Sequence, residues 1–146
     1  MNKHEIAGAT DDSSGSMSKA QYKAARKDIA HQYETERSAC KAMVGNARDV
    51  CIEEAKGRER IAEAELKTDY SPSEKHRHEL RTARIEVAHA VARETCDSLS
   101  GNARDICRNE AKGAYLAAKG EAELAEQSAI GVAARDDAAA VRRDAV

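Results

Sequence analysis

Phenylalanine and tryptophan are missing from this chain of 146 residues, and proline occurs once, at Pro72. Large apolar side chains are scarce too: Leu, Ile and Val together number 19, against 30 alanines. That shortage excludes a thick core and leaves one small domain, or two very small ones, with little apolar area to offset chain entropy. Strong net charge is also absent, at -2. The chain therefore carries only half of the signature of disorder, low apolar content without self-repulsion. Apolar runs are only a few residues long, which excludes a transmembrane helix. The opening MNKHEIAGATDDSSGSMSK has no hydrophobic segment of signal-peptide type, so taken literally it implies the cytoplasm, unless a signal has been removed from the chain. No basic arm or acidic block stands out among 24 basic and 26 acidic residues, which argues against nucleic acid as a partner.

What is present is alanine, with Glu, Lys, Arg and Leu, the composition of long helices packed through small side chains. The chain also repeats itself. CKAMVGNARDVC, Cys40 to Cys51, returns 56 residues later as CDSLSGNARDIC, Cys96 to Cys107, and ten of thirteen positions are identical between Gly45–Gly57 and Gly101–Gly113. A period of this length marks a supersecondary unit. Ile29 aligns with Ile85 and, one period further, with Val141, so residues 127–146 read as a partly helical tail resembling the start of a third unit. Residues 1–17 read as a disordered N-terminus, 18–70 as the first repeat and 71–126 as the second.

Each unit reads as a helical hairpin. Helix-forming runs cover about Ser18 to Val44 and Ser73 to Leu99, and second helices run from about Ala47 to Lys67 and from Ala103 to Glu126. In SPSE, Ser71 can cap, Pro72 can take the first helical position and Glu74 can complete a capping box. Gly45 and Gly101 suit the left-handed position past a helix end, and Asn46 and Asn102 can cap the next helix, with Asp49 and Asp105 three residues on. In such a hairpin Cys40 faces Cys51 and Cys96 faces Cys107. On one unbroken helix, residues eleven apart would share a face but lie roughly 16 Å apart, too far for a disulfide. The hairpin with an intra-repeat disulfide is the expected geometry, and the unbroken helix is the rival. Ala55, Ala62, Ala111 and Ala118 are expected on facing surfaces. The larger residues expected to be buried are Ile29, Tyr33, Ile61, Leu66, Leu80, Val87, Val91, Ile106, Tyr115 and Leu124.

Chemistry is thin. Both cysteine intervals are eleven, with no Cys-x-x-Cys, which disfavours zinc and haem and leaves a redox thiol pair as a minor alternative. His76 and His78 are two apart and would diverge on a helix, and His78 and His89 are three turns apart, so surface or packing roles are expected before metal ligation. There is no nucleophile elbow, phosphate loop or His-Glu-x-x-His. Arg48 with Asp49 and Arg104 with Asp105 read as local ion pairs at a cap.

GNARDVCIEEAKG and GNARDICRNEAKG, with the preceding ACKAM and TCDSL, resemble a group of Ala- and Lys-rich envelope proteins of Gram-negative bacteria. In that group a Cys-x10-Cys block around Gly-Asn-Ala-Lys/Arg-Asp recurs, and some members are labelled by analogy with the helical protein TolA. The resemblance spans about Tyr22 to Glu126. It implies export to an oxidising periplasm and no catalytic residues. The expected fold is all-α: two tandem disulfide-stapled helical hairpins packed as an antiparallel four-helix bundle. The expected function is a non-enzymatic periplasmic structural or protein-interaction repeat protein, with an unknown protein partner or oligomer, no nucleic acid, no membrane insertion and no cofactor. The alternatives are a metal or small-ligand module using His76, His78 or His89, and a redox-responsive helical protein.

Overall fold

A computed structural model describes residues 16–145, so the expectation for residues 1–17 falls almost wholly outside the described residues. Four helices follow one another: α1 (Lys19–Cys40), α2 (Gly45–Tyr70), α3 (Glu74–Cys96) and α4 (Gly101–Ala145). No strand occurs among the described residues. The fold is all-α, with α1 and α2 forming one antiparallel hairpin and α3 and α4 the other. Close backbone approaches run in chain order, α1 against α2, α2 against α3 and α3 against α4. The inner helices α2 and α3 thus have neighbours on two sides, and among the described helices α4 has α3 as its one neighbour.

The helix ends follow local chemistry. At the start of α1 the Ser18 hydroxyl accepts from the Gln21 N–H at 3.0 Å while the Gln21 side chain accepts from the Ser18 N–H, a reciprocal box that ties down two otherwise free donors. At α3 the cap is Ser73, whose hydroxyl accepts from the His76 N–H at 3.0 Å, and not Ser71. Pro72 therefore lies outside the helix, and the Ser71 carbonyl accepts from His76 Nδ1 at 2.5 Å. Helices α1 and α3 end at Cys40 and Cys96, about three to four residues earlier than their helix-forming runs suggest. Their last turns tighten through i→i+3 bonds such as Met43 N–H to Cys40 O and Leu99 N–H to Cys96 O, both 3.0 Å.

Residues 127–145, read as a partly helical tail, continue α4 without a break to Ala145. The reason is visible on alignment. Ser71-Pro72-Ser73, which breaks the chain between α2 and α3, is replaced one period later by Gln127-Ser128-Ala129, where no proline interrupts the helix and every residue has an N–H to donate.

The core is built from small atoms. Its buried apolar members are Cys40, Ala55, Leu66, Ala83, Cys96 and Ala111, and Cys40 and Cys96 are 0% and 1% exposed. Leu66 is buried as expected, whereas Ile29, Tyr33, Ile61, Leu80, Val87, Val91 and Tyr115 are half-buried. Ile106 and Leu124 were expected inside and are instead 58% and 65% exposed. They point away from α3, the neighbour of α4 in the chain.

Candidate functional site

Each hairpin is closed at its turn by a disulfide. Cys40 joins Cys51 and Cys96 joins Cys107, each with Cα atoms 5.6 Å apart, within the span a bridge requires. The turn glycines, Gly45 and Gly101, take φ of 62° and 59°, the left-handed region that favours glycine. They do not sit directly past the first helix, as the Gly-Asn pattern suggested; they open the second one, five residues beyond the end of the first.

The expected caps behave differently from the pattern. No side-chain cap bond forms at the start of α2. Asn46 instead reaches out of its own hairpin, its Nδ2 donating to the Glu94 carbonyl at the end of α3 at 2.9 Å. The two repeats are thereby tied at their disulfide ends. Asn102, one period on, is exposed and makes no such bond. Asp49 and Asp105 are exposed as well. Arg104 does not pair with Asp105; its guanidinium donates to the Leu99 carbonyl at 2.9 Å and the Asp97 carbonyl at 3.4 Å, occupying acceptors that the end of α3 leaves free. Replacing Asn46 with Ala removes the tie between the repeats and leaves the half-buried Glu94 carbonyl with its bond from the Asp97 N–H at 3.1 Å; a loss of about 1 kcal/mol is expected in denaturant titration, with Asn102→Ala near neutral.

The seam between repeats is a second structural feature that pattern reading missed. Gly57 is buried in α2, and a Cβ built there would meet Val87 Cγ1 of α3 at 2.3 Å. The seam is flanked by Arg60–Glu86 at 2.5 Å and Arg84–Glu65 at 2.9 Å, both exposed pairs that contribute little each. The sequence signal was the glycine itself, since a glycine inside a helix loses about 1 kcal/mol against alanine and calls for a packing reason.

At the open ends of the hairpins, one position of the repeat is filled in two ways. Tyr22 and Tyr70 stack with centroids 4.3 Å apart, and their counterparts one period on, His78 and Glu126, form an ion-pair contact. Glu126 also accepts from Arg81 at 3.1 Å, and Arg81 reaches Glu74 at 2.9 Å. The His78 bond, then Arg81, holds the Glu126 carboxyl below its ordinary range, and Arg81, then Arg77, does the same for Glu74. Glu59 is pushed up, mainly by desolvation and then by Glu63 and Glu34. A carboxyl with a depressed folded pKa stabilises the fold above its unfolded value and loses that contribution as pH falls through the folded one. The melting temperature should therefore fall on acidification below the ordinary carboxylate range, and Glu126→Gln should flatten that acid limb; an unchanged limb would contradict the clasp.

The three candidate histidines are all engaged. His76 closes on Ser71, His78 on Glu126, and His89 stacks on Tyr115 with centroids 4.4 Å apart. Among the described residues no group of three or more His, Cys, Asp or Glu is placed to hold a metal ion. A cleft of about 650 Å³ lies between α2 and α3 beside Tyr22 and is lined by opposite charges, including Arg26, Arg60, Glu63 and Glu79. No described helix is long and apolar enough to cross a membrane. Comparison with family models, with curated proteins and with solved structures finds no match to this chain.

Proposed function

We propose that the chain is a non-enzymatic structural and protein-interaction repeat protein of an oxidising compartment, the periplasm for a chain that resembles Gram-negative envelope proteins. The observation that carries this reading is the outer face of α4. On α2, the face bearing Asn46, Val50, Gly57, Arg60, Ala64 and Thr68 is the one turned to α3, through Asn46, Gly57, Arg60 and Thr68. One period on, the same face of α4 carries Asn102, Ile106, Gly113, Leu116, Gly120 and Leu124, and among the described residues no other helix lies against it. A docking face without its partner is the mark of a repeat array whose binding end is open.

The disulfides support the compartment, since bridges of this kind persist where thiols are not kept reduced. Burial of Cys40 and Cys96, with half-burial of Cys51 and Cys107, favours a staple over a redox switch, because the approach of a reductant to each bridge is restricted. The histidine contacts favour packing over ligand capture. A photo-crosslinking residue at position 124, in cells exporting the chain, should trap a protein adduct. Absence of any adduct there, with adducts no rarer at the α3-facing Ala122, would overturn the interaction reading.

A further inference from the structure

We infer that the open face of α4 is the interface of a symmetric dimer, covered by α4 of a second copy running antiparallel to it. The inference deepens the interaction reading and rests on it. The stripe runs through Ile106, Gly113, Ala117, Gly120, Leu124 and Gly131, on the side of α4 roughly 180° from the residues that face α3, such as Ala111 and Tyr115. A helix laid there would meet no obstacle from α3.

The stripe is self-complementary on reversal. Set antiparallel, Ile106 of one copy lies opposite Gly131 of the second copy, Leu124 opposite Gly113 of the second copy, and Ala117 opposite Gly120 of the second copy. Ile106 and Leu124 each meet a glycine, Leu116 at the edge of the stripe meets Glu121, and the reverse holds by symmetry, as an isologous two-fold contact demands. No added atom crowds Gly113 or Gly120 within the chain, where a Cβ would find nothing within 4 Å. The same device operates inside the molecule, where Gly57 receives Val87 between the repeats. In this register no two like charges lie directly opposite on the stripe; Glu110 meets Gln127 and Asn109 meets Ser128.

Helix length points the same way. α4 has 45 residues and α3 has 23, and with Glu126 beside His78, four residues inside the start of α3, about 15 residues of α4 outrun the body, by roughly 22 Å. A single helix projecting that far into water is marginal. In the dimer the overhang of each copy, as far as Asp136, lies along the first turns of α4 in the other, where Ile106 is exposed. The head-to-tail alternative, α4 against α1 of a second copy, fits less well. The residues of α1 that match the α2-facing side of α3 are Lys23, Lys27, His31, Glu34 and Ser38, a polar face.

The test uses the full oxidised chain. All four cysteines are bridged, so introduced thiols are unambiguous. Sedimentation equilibrium from micromolar to millimolar chain should reach twice the 15.8 kDa chain mass. Ala117→Cys mixed with Gly120→Cys should give a crosslinked dimer more readily than either alone. Leu124→Glu and Gly113→Leu change exposed positions with free space around them, and each should raise the dimer Kd by roughly a hundredfold, since a symmetric interface counts every change twice. Both should leave the helicity of the dilute chain unchanged. A monomer at every concentration, or open-ended polymers in place of a dimer, would overturn the inference. A foreign protein trapped at position 124 together with a monomeric chain would overturn it while leaving the interaction reading intact.

Discussion

Reducing both disulfides, or replacing each pair with alanine, lowers the melting temperature by roughly 10 °C per bridge. Each bridge closes a loop of about a dozen residues, worth about 2.5–3 kcal/mol in the chain-entropy model, and a chain of this size shifts by about 2–4 °C per kcal/mol. The effect is large here because little else holds the turns. The buried apolar set is mostly alanine and cysteine, with Leu66 its only large aliphatic side chain. Cys40 and Cys96 are also core atoms in their own right, so removing the sulfurs takes packing with them. Circular dichroism melts with and without reductant measure it directly. Equal melting temperatures would mean that the helices hold without the bridges.

Gly57→Ala destabilises the chain by about 1–3 kcal/mol, whereas Gly113→Ala, at the same position of the second repeat, stabilises the dilute monomer by about 0.5–1 kcal/mol. The opposite signs come from one contact. At Gly57 the new Cβ would lie 2.3 Å from Val87 Cγ1, a branched and stiff side chain that cannot swing away, so α2 and α3 must separate. At Gly113 there is open space, and alanine's helix propensity is the dominant effect. Adding Val87→Ala to Gly57→Ala should recover part of the loss. Urea titration of the four proteins decides the matter, and a stabilised Gly57→Ala would contradict the close seam.

The stapled hairpin was legible because two kinds of signal agree at the same residues. The duplicated Gly-Asn restarts a helix, and cysteines placed evenly about it can meet only if the chain turns there. Helix limits were legible to within a few residues, except where one residue type admits two roles. Ser71 and Ser73 both suit a cap, and the N–H of His76 decides for Ser73. Asn46 reads locally as a cap, yet its partner, the Glu94 carbonyl, lies 48 positions away and belongs to the other hairpin. No local pattern contains that information.

The errors of burial have one cause. Ile106 and Leu124 were placed inside on the assumption that apolar residues on a helix face a core. In a serial array the outermost helix has an apolar face that none of the described helices of its own chain covers, and the face of Val50 and Thr68 on α2 shows what that surface does when a neighbour is present. Likewise, α4 passes unbroken through the position where α2 ends, because Ser-Pro-Ser is not repeated.

Cysteine pairing tests the architecture most directly. Tryptic digestion of the unreduced chain cuts after Arg48 and after Arg104, between the members of each pair, so every intact bridge holds two peptides together. Mass spectrometry should find Cys40 with Cys51 and Cys96 with Cys107, each pair released by reduction. Free thiols, or crossed pairs such as Cys40 with Cys96, would contradict the stapled hairpins and the stacking built on them.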